Sequence, residues 1–127
     1  MIVLHLPIPP SVNELYRIRD GAPRKSDRVK TWTRAAHGHF LEQGGHRAGK
    51  IVGRFHLTVI LDEKRRGTSD ADNRLKVLLD YLQKGARVIS NDRFADSITV
   101  RWGHAPVGCT VMIEPVFAEA QAPRAAE

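Results

Sequence analysis

Residues 68–82 read TSDADNRLKVLLDYL, and residues 88–92 read VISND. Four leucines in the first segment follow the i, i+3, i+4, i+7 spacing of a helical apolar stripe: Leu75, Leu78, Leu79 and Leu82. Thr68, Ser69 or Asp70 is the expected N-cap, and Gly85 is expected to end the helix after about Lys84. The pattern therefore predicts an amphipathic helix that packs its leucines against a core.

The flanking segments predict an α+β fold. Alternating or β-rich runs predict strands at residues 2–8, 51–61, 97–102 and 109–116, and the last two are expected to form a hairpin across residues 103–108. A second helix is expected from about Arg28 to Gln43, with Asp27 as its N-cap and Gly44-Gly45 as its stop. Residues 11–28 are expected to form a polar loop. The order β-α-β-α-β-β indicates a mixed β-sheet with two helices packed on one face.

Length and composition place the chain among small single-domain proteins. The sequence has 127 residues, of which 42% are hydrophobic, and no apolar run approaches the roughly 20 residues that a membrane helix needs. The domain is expected to span residues 1–116, and residues 117–127 are expected to be a frayed tail. The first ten residues predict a strand rather than a signal peptide. Cys109 is the single cysteine, so a reducing, cytoplasmic setting is expected.

The charge of the chain favours a nucleic-acid partner. There are 20 Lys and Arg against 14 Asp and Glu, a formal net charge of +6, although such charge also serves solubility or attraction to acidic membranes. The densest basic stretch is either a solvated surface or a contact with the DNA backbone, and its candidates include Arg17, Arg24 and Lys25. Better candidates for guiding a DNA strand are Lys64, Arg65 and Arg66, which directly precede the acidic residues.

Asp70 and Asp72 are the candidate metal ligands, because residues two apart in an extended segment project to the same side. Mg²⁺ prefers such oxygen ligands, and Asp92 adds a third carboxylate if its loop folds back to the start of the helix. A second interpretation stays open. Lys76 lies four residues after Asp72 and four before Asp80, so the three residues are also spaced for helical surface ion pairs of about 0.3–0.5 kcal/mol each, with Asp70 as a cap.

Two motifs resemble the RusA family of Holliday-junction resolvases. Residues 70–82, DADNRLKVLLDYL, match that family's Asp-x-Asp-Asn-x-x-Lys-x-x-x-Asp-x-Leu, and Asn91-Asp92 stands where the family has an Asp-Asp pair. Near the amino terminus, PPSVN at residues 9–13 is similar to the family's Pro-Pro-Ser-x-Asn element. The resemblance spans roughly residues 4–100, with both motifs in the expected order.

The resemblance implies a homodimeric endodeoxyribonuclease that uses Mg²⁺ or Mn²⁺ to resolve four-way DNA junctions in recombination and repair. It implies that Asp70, Asp72 and Asp92 bind the metal and that Lys76 contacts the scissile phosphate. Asn13 is either a turn former after the prolines or, as the resemblance implies, a contact to the DNA phosphate or the active site. Asn91 departs from the family's acidic pair. Two alternatives remain: a nuclease on the same scaffold that acts on flaps or forks, and a structure-specific DNA-binding protein with weakened catalysis.

Overall fold

A computed structural model describes residues 1–11, 16–19, 22–25, 27–67 and 71–117. These residues form a small α+β domain, which confirms the predicted fold class. The strands are β1 (Ile2–Leu6), β2 (Tyr16–Arg19), β3 (Ala22–Lys25), β4 (Phe55–Asp62), β5 (Ala95–Gly103) and β6 (Cys109–Pro115). The helices are α1 (Asp27–Glu42) and α2 (Leu75–Asp80).

The main sheet is mixed and has the order β1-β6-β4-β5. β6 runs antiparallel to both of its neighbours, whereas β4 and β5 are parallel. Parallel neighbours need a crossover connection, and the helical segment that contains α2 supplies it. The amino ends of β4 and β5 therefore lie at one end of the sheet, and their carboxyl ends lie at the other.

The predicted hairpin between the last two strands is wrong, because β4 lies between β5 and β6. Inward-facing Phe55, Leu57, Val59 and Leu61 of β4 are at most 1% exposed. A strand buried this deeply needs a partner along both edges for its backbone groups. The connection after β5 instead crosses the end of β4, where the Asp62 N–H donates to the carbonyl of Gly108 (2.8 Å).

The predicted loop at residues 11–28 is also partly wrong, because β2 and β3 pair there as an antiparallel two-stranded sheet. Their register leaves two residues between the strands, Asp20 and Gly21. Asp-Gly between two short strands is a strong signal for a two-residue hairpin.

One core joins both helices to the sheet. Helix α1 contributes Val29, Trp32, Ala36 and Phe40, whose spacing makes one apolar stripe. The stripe meets the inward residues of β1, β4 and β6 in the same cluster. The helix ends just before Gly44, whose φ of 75° lies in the left-handed region that glycine tolerates.

The second helical segment starts and stops close to its predicted limits but is not uniform. A 3₁₀ turn (Ala71–Arg74) precedes α2, and a π-helical turn (Tyr81–Gly85) follows it. The most buried residues of this segment are Val77, Leu78, Tyr81 and Leu82, whereas Leu75 and Leu79 of the predicted stripe are only partly buried. No helix among the described residues is long and apolar enough to cross a membrane.

Candidate nucleic-acid and metal site

The turn Ala71–Arg74, which contains Asp72, leads into α2 at the carboxyl end of β4. The backbone of Asp72 lies in the Ala71–Arg74 turn, its side chain falls outside the part of the structure that is described, and so does the whole of Asp70. The Arg74 guanidinium donates from Nη1 to the carbonyl of Pro9 (2.5 Å), three residues beyond the end of β1. Leu6 of β1 and Leu61 of β4 both pair with Cys109, so the turn lies at this end of the sheet.

The predicted basic turn lies at the same end. Glu63–Arg65 form a 3₁₀ turn directly after β4, and Lys64, Arg65 and Arg66 are all exposed. The buried carboxylate of Asp62 accepts from the Lys64 N–H (3.2 Å) and lies 3.6 Å from Nε of Arg65. The Arg66 guanidinium lies 5.8 Å from the centroid of the Trp102 ring, near the carboxyl end of β5. The basic residues and the Ala71–Arg74 turn thus lie at the same end of the sheet.

Asp92 lies at the opposite end of the sheet within one chain. It begins a 3₁₀ turn (Asp92–Phe94) that leads into β5, whose first residue, Ala95, pairs with Phe55 at the start of β4. The Asp92 N–H donates to Oε1 of Gln83 (3.1 Å), which belongs to the far end of the helical segment. At about 3.3 Å per residue, the interval from Phe55 to Leu61 measures about 20 Å.

The Asp92 loop therefore does not fold back to the helix start in a single chain. Carboxylates that share one Mg²⁺ each contact it at about 2.1 Å, so they must lie within a few ångströms of each other. No group of three or more His, Cys, Asp or Glu suited to a metal comes together among the side chains that the structure describes. Asp70 and Asp72 lie outside that set.

No protein-family model and no curated protein matches the chain.

Lys76 lies in the first turn of α2, and its side chain is 57% exposed. Its Nζ is 3.9 Å from Oδ1 of Asp80, the i,i+4 pair that the sequence spacing predicted. Because the lysine is exposed and the distance is at the limit for an ion pair, the pair contributes little to stability. The ammonium group is thus held loosely on the surface and is accessible to an anion.

Three further DNA-binding candidates lie on the β2–β3 hairpin. Arg17 and Arg24 are paired in register, and Lys25 pairs with Tyr16. The structure describes only the backbone of these strands, and Asn13 lies outside the described residues.

The single cysteine is not a candidate nucleophile. Cys109 is fully buried, and burial raises the pKa of its thiol to about 12. Burial also raises the pKa of the Tyr81 phenol, which therefore remains protonated. The Tyr81 hydroxyl lies 3.0 Å from Nδ1 of His37, between the two helices. Both groups support the fold rather than the chemistry of a site.

Three positioning contacts were not predicted from the sequence. They are made by the side chains of Asp62, Arg74 and Gln83. Asp62 directly precedes the basic turn, and an Asp before a short turn is a capping signal. Arg74 and Gln83 had no comparable signal, because each acts on a backbone group that is distant in sequence.

Proposed function

We propose that this chain is a metal-dependent, structure-selective endodeoxyribonuclease that cuts branched DNA, above all four-way junctions. The observation that carries the proposal is that the basic turn, Lys64–Arg66, and the turn that contains Asp72 lie at the same end of the sheet, where Pro9 also lies. Cationic side chains attract the negatively charged phosphate backbone of DNA. Acidic residues beside them suit a cation rather than a phosphate.

Mg²⁺ or Mn²⁺ is the metal that the donor set fits, since Asp70 and Asp72 offer hard carboxylate oxygens. Asp70 and Asp72 would hold the cation, which would supply polarisation of the phosphodiester and activation of a water for attack. Lys64, Arg65 and Arg66 bind and orient the DNA backbone on the approach to that point. Lys76 stabilises the negative charge that develops on the phosphoryl oxygens in the transition state.

Asp92 completes the site from a second copy of the chain. Within one chain it lies about one strand length from the Asp72 turn. In a two-fold dimer with antiparallel β5 strands, the amino end of each β5 lies beside the carboxyl end of the other. Asp92 of the partner subunit then lies near the acidic turn of the first. Two such sites related by a two-fold axis also match a four-way junction, whose resolution needs a pair of cuts.

The two edges of the sheet support β5 as the dimer edge. At the β1 edge, Gln43 acts like a strand partner: its Oε1 accepts from the His5 N–H and its Nε2 donates to the His5 carbonyl, both at 2.8 Å. β5 pairs only with β4 among the described strands, and most of its nine residues are exposed. A long uncovered edge is a template for pairing with another chain.

Cleavage of a labelled four-way junction, with and without Mg²⁺, tests the proposal. We expect paired symmetric nicks that require the metal. We expect Asp70→Asn, Asp72→Asn and Asp92→Asn each to abolish cutting while junction binding persists, since each removes a ligand but lowers repulsion toward phosphate.

Other outcomes separate the alternatives. Faster cutting of flaps or forks than of junctions would assign a different branched substrate. Binding of junctions without cutting in any divalent metal would support the DNA-binding protein instead. Near-normal cutting by two of the three Asp→Asn variants would contradict the metal site and favour the helix-cap interpretation.

A further inference from the structure

The two sequence motifs, which lie about 60 residues apart, are joined in space by the side chain of Arg74. The first motif begins in the proline segment (residues 7–10), and the second contains the Ala71–Arg74 turn. The bond between them runs from Nη1 of Arg74 to the carbonyl oxygen of Pro9 (2.5 Å). Position 74 is one of the unspecified positions in the motif that the sequence resembles, so the resemblance assigns Arg74 no role.

The proline segment is held by its carbonyl groups. Its register with β6 ends at Leu6, and proline has no N–H to donate to a ladder. The Trp32 indole N–H donates to the carbonyl of Pro7 (2.9 Å), as Arg74 does to that of Pro9. On the other side, a Cβ at Gly108 would come within 2.3 Å of the Ile8 nitrogen, so the backbone itself packs against the segment. These contacts fix the position of the proline segment at the carboxyl end of the sheet.

The turn that contains Asp72 depends on a contact outside itself to fix its position. It is a 3₁₀ turn, whose internal hydrogen bonds have poorer geometry than those of an α-helix. Arg74, as the residue before α2, makes no side-chain cap to the helix. Its guanidinium reaches across to Pro9 instead, beside a cleft that is also lined by Ile8, Pro10 and Trp32.

We propose that Arg74 is a positioning residue of the metal site: its bond to Pro9 fixes the turn that contains Asp72 relative to the proline segment that leads to Asn13. This role rests on the proposed nuclease function. Arg74 contacts neither metal nor DNA in this role and acts through the orientation of Asp72. Its loss should therefore weaken metal binding, as loss of outer contacts to metal ligands does.

The test compares Arg74→Met, Arg74→Lys and Trp32→Phe with the unaltered protein. Met keeps most of the apolar volume beside the cleft and removes the donor, whereas Lys keeps a cationic donor. Trp32→Phe is the matched control, because it removes another side-chain bond to the same segment, from a helix that has no metal ligand. The measurements are Mn²⁺ binding by calorimetry, the Mg²⁺ dependence of junction cleavage, and the melting temperature.

We expect Arg74→Met to weaken Mn²⁺ binding by about tenfold or more and to raise the Mg²⁺ concentration for half-maximal cutting in parallel. Excess Mg²⁺ should restore much of the rate, and Arg74→Lys should restore part of the affinity. Trp32→Phe should lower the melting temperature and weaken Mn²⁺ binding far less than Arg74→Met does, because the segment keeps its contacts with Gly108, Cys109 and Arg74.

Unchanged Mn²⁺ affinity in Arg74→Met would overturn the positioning role, and so would an equal loss of affinity in Trp32→Phe. Should Arg74→Met fail to fold, Arg74→Gln takes its place with the same two outcomes. An unaltered protein that neither binds Mn²⁺ nor cuts junctions would instead contradict the proposed function. The two failures are thus distinguishable.

Discussion

Lys76 is the residue for which the two interpretations of α2 differ most. Its Nζ lies 3.9 Å from Asp80 on an exposed surface, so removal of the side chain should lower the free energy of unfolding by only about 0.3–0.5 kcal/mol. As a phosphate contact in the transition state, however, Lys76→Ala should lower turnover by about 10²-fold, with junction affinity changed far less. Single-turnover cleavage and urea unfolding measure the two effects separately.

Asp80→Asn is the matched control for Lys76→Ala. It breaks the same ion pair from the other side and leaves the ammonium group in place, so we expect a near-normal rate and a similarly small change in stability. Lys76→Arg should restore the rate only in part, because a planar guanidinium does not occupy the same space as a compact ammonium. A Lys76→Ala enzyme that cuts at the parent rate would leave only the ion-pair interpretation.

Asn91 caps a 3₁₀ turn, and it stands where the family that the sequence resembles has an acidic residue. Its Oδ1 accepts from the Arg93 N–H (3.0 Å) at the start of the Asp92–Phe94 turn. Because Asp caps as well as Asn does, we expect Asn91→Asp to fold with unchanged stability. If position 91 lies near the metal, the variant should also reach half-maximal cutting at a lower Mg²⁺ concentration. An unchanged Mg²⁺ requirement would place position 91 outside the coordination sphere. Asn91→Ala is the control, because it removes the capping side chain and so measures the effect of losing the cap alone.

The sequence predicted the roles of single residues well where the interacting residues lie close together along the chain. Asp27 and Gly44 marked the limits of α1 to within a residue, and the spacing of Lys76 and Asp80 anticipated their ion pair. The position of Asp92 relative to the helix start was open in the sequence, because it depends on which end of the sheet each connection occupies. Side-chain hydrogen bonds to distant backbone, as in Arg74 and Gln83, follow no pattern along the chain.

At the scale of elements, the edges of the sheet determine how two copies can meet. β1 and β5 are the two edge strands, and each has an exposed apolar residue: Val3 is 44% exposed, and Ile98 is 42% exposed. We expect Ile98→Lys to weaken the proposed dimer, because a lysine on an edge strand opposes strand pairing. Val3→Lys is the control, since Gln43 already occupies the backbone of β1 at His5.

Sedimentation at a series of protein concentrations measures this difference between the edges. Ile98→Lys should shift the monomer–dimer equilibrium toward monomer and reduce cutting at low protein concentration, whereas Val3→Lys should change neither. A dimer that Ile98→Lys leaves intact would contradict pairing through β5.

The order of strands is also where sequence patterns were least informative. Two strands joined by a short Gly- and Pro-containing connection predict a hairpin, yet β4 separates β5 from β6. The physical reason is burial across the whole sheet: β4 is apolar enough to need both neighbours, whereas β5 tolerates an edge. The strand order depends on comparing the burial of different strands, and no short stretch of sequence contains that comparison.

At the scale of the whole molecule, the proposed site requires Asp72 and Asp92 from different chains, and mixed dimers test this requirement. Consider one Asp72→Asn chain paired with one Asp92→Asn chain. If each site takes Asp72 from one chain and Asp92 from the other, one site of the mixed dimer carries both substitutions and the second site carries neither. We therefore expect the mixture to nick one strand of a junction at a substantial rate, although each variant alone is inactive.

The opposite assembly gives a different result. If each site were built within one chain, both sites of the mixed dimer would lack a carboxylate, and mixing would restore nothing. Mixing Asp70→Asn with Asp72→Asn is the control, because both ligands lie on the same segment and every pairing of these chains damages both sites. Nicking by the first mixture but not by the control would establish the shared site. Inactivity of both mixtures, with dimer exchange verified, would require Asp92 to reach the turn of its own chain, against the roughly 20 Å that the strands place between them.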